Sequence, residues 1–142
     1  MQILLDETGF SQKQLMVTLG LENCDKEAIA NAIAKLDSII KTCVLSEIDA
    51  FVAGKQNDII LIRYISNYDL ALYEVDLFNS FKCCSIHKVF ITRTIKAIER
   101  LGGKVSVVYM DSNYYETWLG VNDFDDSHEI RMTWAKQQIL LQ

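Results

Sequence analysis

The sequence predicts an α+β fold in which helices pack on one face of a largely antiparallel sheet. Apolar residues recur at helical spacing in a long stretch near the N-terminus and in a shorter stretch around residue 90. Strand-like runs come in adjacent pairs instead of alternating with helices, which favours hairpins over a parallel sheet. The expected order of elements is ααββαββ, followed by a C-terminal strand or helix.

The first two elements are predicted to be helices. Residues 11–14 fit a capping box, and Gly20 stands where a left-handed residue would end a short helix. The second helix is expected to begin after Asp25, to continue or restart at Ser46, and to end at Gly54. Its apolar face consists of residues three and four apart, namely Ile29, Ala32, Ile33, Leu36, Ile39, Ile40, Cys43 and Val44.

A hairpin is predicted in the middle of the chain. Residues 59–65 form a nearly continuous aliphatic and β-branched run, which is typical of a strand buried on both faces or nearly so. Ser66 and Asn67 fit a turn. Residues 68–76 then alternate in polarity, so we expect them to form the antiparallel partner of that strand.

A third helix and a second hairpin are expected to follow. The helix extends from Ile86 to Leu101, and Gly102 lies where a left-handed cap belongs. Residues 105–110 alternate as in a strand, and residues 114–121 can return as its hairpin partner. The tail after Ser127 alternates as in a strand but also follows a helix-capping residue, so both structures stay open.

Composition and length predict one globular domain spanning residues 1–142. Half of the residues are hydrophobic and 23% are charged, which is typical of a chain that buries a core. The N-terminus does not resemble a secretory signal, and the apolar runs are far shorter than the roughly 20 residues of a membrane span. We therefore expect a cytoplasmic protein without a membrane partner. The four cysteines are not spaced as in a disulfide scaffold, which predicts reduced and mostly buried thiols.

Acidic residues are concentrated between Val105 and Ile130. This stretch contains six acidic residues and no Lys or Arg, although the net charge of the whole chain is only −5. The acidic residues are Asp111, Glu116, Asp123, Asp125, Asp126 and Glu129. The aromatic residues in the same stretch are Tyr109, Tyr114, Tyr115, Trp118 and Phe124. Acidic side chains attract a cationic partner and aromatic side chains anchor it, so this pattern indicates binding.

The helix that precedes this stretch is as basic as the stretch is acidic. It carries Lys88, Arg93, Lys96 and Arg100 against a single acidic residue, Glu99. Lys96 or Arg100 could neutralise acidic residues within the fold. Alternatively, the acidic side chains could remain free to face a partner. The sequence leaves both arrangements open.

The sequence thus predicts a small acidic protein-binding module, an inhibitor or immunity-type protein that neutralises a basic protein partner such as a toxin nuclease. The expected contact residues are Asp111, Glu116, Trp118, Asp123, Phe124, Asp125, Asp126 and Glu129. A pI near 5.0 argues against nucleic acid as a partner. A small secretion-type chaperone is an alternative binding function and would require a dimer, but the sequence does not decide between monomer and dimer.

A metal- or thiol-dependent enzyme is the alternative from another class. Cys83, Cys84 and His87 lie within one helical turn, where thiol and imidazole groups can share a metal or activate a thiolate. The missing metal ligand would have to be Cys24, Cys43 or His128. The acidic run 123–129 offers oxygen ligands for calcium or magnesium, but the glycine and the closing glutamate of an EF-hand loop are both out of place. Because phosphate-loop, dinucleotide, nucleophile-elbow and zinc-protease motifs do not occur either, we expect no catalytic residue, metal or cofactor.

Overall fold

A computed structural model describes residues 1–54 and 58–141, and these residues form eight helices and two strands. Helices account for 72% of them. In chain order the elements are α1 (Gln2–Thr8), α2 (Gln12–Leu19), α3 (Lys26–Gly54), β1 (Asp58–Arg63), α4 (Asn67–Tyr73), α5 (Val75–Phe81), α6 (Cys84–Arg100), β2 (Lys104–Tyr109), α7 (Ser112–Asn122) and α8 (His128–Leu140).

The two strands pair in parallel, with Asp58 opposite Lys104 and Arg63 opposite Tyr109. The chain passes through α4, α5 and α6 between them, which is the kind of crossover that a parallel pair requires. The predicted largely antiparallel sheet is therefore wrong. The structure is mostly helical with a small two-strand parallel sheet, in place of the α+β order ααββαββ.

The sheet lies between two hydrophobic cores, because successive strand residues point to opposite faces. One core, built largely from α3 and α6, receives Ile59, Leu61, Val105 and Val107. The other core, built largely from α4, α7 and α8, receives Ile60, Ile62, Tyr64, Val108 and Met110. Helices thus cover both faces of the sheet, whereas the sequence predicted that they cover one. Burial on both faces explains the nearly continuous apolar run of β1.

The first predicted hairpin is wrong because residues 68–76 belong to α4 and α5. The Ser66 side chain accepts a hydrogen bond from the Asp69 amide at 3.1 Å and so starts α4 as a helix cap. Leu70 and Tyr73, three residues apart, are the buried residues of that helix. Over a segment this short, alternating polarity does not separate a strand from a short helix.

The second predicted hairpin is wrong for a similar reason, because residues 114–121 lie in α7. Asp111 caps this helix by accepting hydrogen bonds from the amides of Asn113 and Tyr114. Tyr115 and Leu119, four residues apart, are buried beneath it. The polar segment 111–113 thus begins a helix, where the sequence predicted a turn between two strands.

Other predicted elements are confirmed. The capping box at residues 11–14 starts α2, and Gly20 ends it with φ 69°. Helix α3 continues through Ser46 without a break, and α6 ends close to Gly102, which has φ 84°. The tail is helical from His128, because the Ser127 side chain accepts a hydrogen bond from the Ile130 amide at 3.1 Å. Helix α1 was not predicted.

The described part of the chain contains no helix that combines the length and the apolar character needed to cross a bilayer. All four cysteines lie in this part and are free thiols. Cys83 is buried, as predicted for structural thiols, whereas Cys24 is exposed.

Candidate functional site

Of the acidic and aromatic residues named in the sequence analysis, Tyr109 ends β2 and Asp111 caps α7, and the others lie on α7, on the loop between α7 and α8, and at the start of α8. Asp123, Asp125 and Glu129 have exposed side chains, and Phe124 lies between the two aspartates. Together with Phe124, these three acidic residues are called the α7–α8 surface below. The surface begins where α7 ends, because Asp123 adopts a left-handed conformation with φ 56° at the helix terminus.

Phe124 is held in place although 42% of it is exposed. Its amide donates a hydrogen bond to the Leu119 carbonyl at 3.0 Å, and its ring centroid lies 5.3 Å from that of Trp118. The Trp118 indole donates in turn to the Gln137 side chain at 3.0 Å and stacks on Tyr115. Phe124 therefore presents part of a fixed ring to solvent, as an interface anchor does.

Asp126 differs from its neighbours because both of its carboxylate oxygens are bonded inside the molecule. One accepts a hydrogen bond from the Tyr115 hydroxyl, and the other accepts from Arg131 at 2.7 Å. The Arg131 side chain is 6% exposed and also donates to Glu74 at 3.3 Å. Asp126 thus neutralises a buried guanidinium, which would be costly without an anion beside it.

Glu116 and Asp111 also have partners within the molecule. The Glu116 carboxylate accepts a hydrogen bond from the Tyr73 hydroxyl, and the Asp111 side chain caps α7. Burial and the bond to Glu116 raise the pKa of Tyr73, so its hydroxyl stays protonated and donates. Burial and the bond to Asp126 raise the pKa of Tyr115 in the same way. Half of the six acidic residues therefore have an evident structural role.

The basic helix α6 does not neutralise the acidic stretch through Arg93, a partly buried arginine near its middle. Arg93 makes a bidentate pair with Glu7 of α1, at 2.7 and 2.9 Å, and a third bond to Asp37 of α3 at 2.9 Å. These bonds join three helices of the first core. In the described residues, Lys96 and Arg100 form no ion pair with Asp111 or Glu116.

The surroundings of Cys83, Cys84 and His87 do not favour an activated thiol. Burial raises the pKa of Cys84, which disfavours the thiolate. Burial, with the nearby charge of Arg63, lowers the pKa of His87 to about 4, so its imidazole is neutral near pH 7. Across residues 1–54 and 58–141 there is no group of three or more His, Cys, Asp or Glu side chains placed to hold a metal ion.

The sequence did not reveal two features around the α7–α8 surface. Val121, two residues before Asp123 in the last turn of α7, is an apolar residue that is 80% exposed. The buried Arg131 side chain donates hydrogen bonds to both Asp126 and Glu74, so Asp126 is held against the protein interior. An arginine five residues after an aspartate was a weak signal, and Glu74 lies too far away in sequence to be linked to either residue by spacing.

The chain matches no protein-family model, and the comparison with curated proteins gives no significant match. Its function is therefore inferred from the geometry of its surfaces and cavities alone.

Proposed function

We propose that the protein is a small protein-binding module that docks on a basic protein partner through the α7–α8 surface, as an inhibitor or immunity-type protein does. The observation that supports this proposal most is the position of a partly exposed aromatic ring, Phe124, which is held in place between the exposed acidic residues Asp123 and Asp125 of the sequence. The partner would be a protein that uses a cationic surface, such as a toxin nuclease that binds phosphate. Carboxylates placed on that surface would block it.

The charges around this surface support electrostatic steering. The nearest Lys or Arg in sequence, Arg131, is buried and paired with Asp126 and Glu74, so it does not offset the exposed carboxylates. Asp123, Asp125 and Glu129 therefore give the region a negative potential that attracts a cationic surface over several ångströms. Steering of this kind raises the association rate and makes it sensitive to salt.

The aromatic part of the surface supports slow dissociation. A side chain that is already fixed before binding loses little conformational entropy in the complex. Phe124 meets this condition, since its amide and its ring are both held, by Leu119 and Trp118. Burial of the exposed part of Phe124 would add apolar contact area next to the carboxylates of Asp123 and Asp125 in the same loop.

The proposal places the protein in the cytoplasm and includes neither nucleic acid nor a membrane as partner. It applies equally to a monomer and to a dimer, because the α7–α8 surface lies within one chain.

The proposal is tested by capture from a lysate of the source organism. The tagged protein is immobilised, exposed to lysate at low salt, and eluted with high salt, and the eluate is identified by mass spectrometry. We expect one dominant basic protein that salt releases, because screening weakens attraction between exposed charges. Capture of no basic protein at low salt would contradict the proposal.

A further inference from the structure

A cavity of about 460 Å³ lies beside the sheet, where α3, β1, α5, α6 and α8 meet. Its volume is within the range of small-ligand sites. Its wall includes the buried residues Leu61, Ile62, Tyr64 and Phe90. The cavity therefore offers an apolar floor to a molecule with a short hydrocarbon chain.

A buried polar group without a partner forms part of the cavity wall. His87 is 2% exposed, and its Nδ1 atom makes no hydrogen bond with any of the described residues. The imidazole is neutral and lies among the rings of Tyr64, Phe81 and Phe90. A buried nitrogen without a partner is unfavourable, and a ligand that carries N–H groups could satisfy it.

Three carboxylates also line the cavity, from different elements. Glu47 belongs to α3, Glu74 lies at the junction of α4 and α5, and Asp76 belongs to α5. Glu74 is shared by Arg131 at 3.3 Å and His128 at 3.4 Å. Neither Glu47 nor Asp76 forms an ion pair in the part of the chain that the structure describes. The cavity thus combines an apolar floor with an excess of negative charge.

Glu47 is the carboxylate whose ionised form would gain most from a bound cation. Burial raises its pKa, and the nearby His128 opposes this effect only in part. A cation beside Glu47 would favour its ionised form and form a charge-assisted hydrogen bond with it. The aromatic residues Tyr64 and Phe90 also line the cavity, and a cation bound over the face of either ring would be attracted to it.

We infer that this cavity binds an alkylammonium group, with the ammonium beside the carboxylates and the hydrocarbon chain on the apolar floor. The group could be a free alkylamine or the side chain of a lysine in another protein. His128 lines the cavity and is followed by Glu129 of the α7–α8 surface, so a lysine of a bound partner could reach it. The inference does not depend on the proposed function, because it is tested with small molecules on the purified protein.

The test compares three probes by isothermal titration calorimetry. They are hexylamine, hexanol and Nα-acetyl-lysine N-methylamide, in which the side-chain ammonium is free. We expect hexylamine to bind at least about tenfold more tightly than hexanol, since only the amine can pair with a carboxylate. Binding of the lysine derivative as well would show that a lysine side chain fits. Binding of hexylamine but not of the lysine derivative would assign the cavity to free amines.

Variants locate the binding. Glu47→Gln keeps the shape of the side chain and should weaken hexylamine binding about tenfold. Asp49→Asn removes an exposed carboxylate from the same helix and should leave it unchanged. Asp76→Asn removes a carboxylate of another element, α5, from the cavity wall and should also weaken hexylamine binding. The inference is overturned if hexylamine does not bind, if hexanol binds as tightly as hexylamine, or if neither Glu47→Gln nor Asp76→Asn weakens binding.

Discussion

The buried residue Arg131 determines which of the nearby acidic side chains stabilise the fold and which face solvent. Its guanidinium is 6% exposed and lies between the carboxylates of Asp126 and Glu74. Removing one partner of such a group leaves a buried charge without compensation. Asp126 therefore contributes to the stability of the fold, whereas Asp125, the preceding residue, faces solvent.

This difference predicts unequal effects of two similar substitutions. Asp126→Asn should lower the free energy of unfolding by about 2 kcal/mol, because Arg131 loses one of its two anions. Asp125→Asn should change it by less than about 0.5 kcal/mol, as exposed substitutions usually do. Urea unfolding of both variants measures the two values. Equal values would mean that the contact between Asp126 and Arg131 does not stabilise the fold.

His87 predicts a pH dependence of stability. Its ordinary pKa is 6.5, and burial and the charge of Arg63 lower it to about 4 in the fold. Between these values the unfolded chain binds a proton that the folded chain does not, so stability is lost as pH falls from 6.5 towards 4. The loss from this residue is on the order of 3 kcal/mol when the pH has fallen below both values.

A comparison with His87→Phe isolates this contribution. The variant should show a smaller loss of unfolding free energy over the same pH range, whatever its stability at neutral pH. Glu47, whose pKa is raised by burial, contributes a slope of the opposite sign to both proteins and cancels in the difference. Identical slopes for the two proteins would contradict the assignment to His87.

At the scale of elements, the connection from α6 to β2 is fixed by close packing at Gly103. A Cβ atom on this residue would lie 2.5 Å from Cζ of Phe51 and 2.7 Å from Cγ2 of Ile98. Gly120 of α7 is different, because a Cβ atom there would meet nothing within 4 Å. The same substitution should therefore have opposite effects at the two positions.

Gly103→Ala should lower the free energy of unfolding by about 2 kcal/mol, because the Phe51 ring must move. Gly120→Ala should raise it by about 0.5 kcal/mol, because alanine favours the helix more than glycine does. Chemical denaturation of the two variants measures both changes in the free energy of unfolding and so tests whether they have opposite signs. A stabilising effect of Gly103→Ala would show that α3 does not pack against this connection.

The sequence predicted the two longest helices correctly, and it predicted the short helix α2 from its capping box, but it missed α1, α4, α5 and α7. Helices α3 and α6 have apolar stripes over 29 and 17 residues, long enough to establish the helical period. Helices α4 and α5 have seven residues each, too few to establish a helical period, and the start of α4 is marked by its cap, Ser66. The sequence interpretation placed Ser66 in a turn because serine favours both structures. The wrong antiparallel pairing followed from the same error, since a hairpin leaves no crossover between its two strands.

At the scale of the whole molecule, the concentration of acidic residues is the property of the candidate site that the sequence predicts. A stretch of six acidic residues without Lys or Arg is visible in the chain itself. Which of them face solvent depends on partners distant in sequence, such as Glu74 and Arg131, which are 57 residues apart. The cavity depends on five elements and has no sequence signature.

The most direct test of binding through the α7–α8 surface compares two charge-reversal variants in capture from lysate. The first is D123K/D125K/E129K, on the α7–α8 surface. The second is E22K/D49K/E99K, which makes the same charge change at exposed residues outside it. At low salt we expect the first variant to lose the basic partner and the second to retain it, with both proteins unfolding near the wild-type temperature. Retention of the partner by both variants, or loss by both, would contradict binding through the α7–α8 surface.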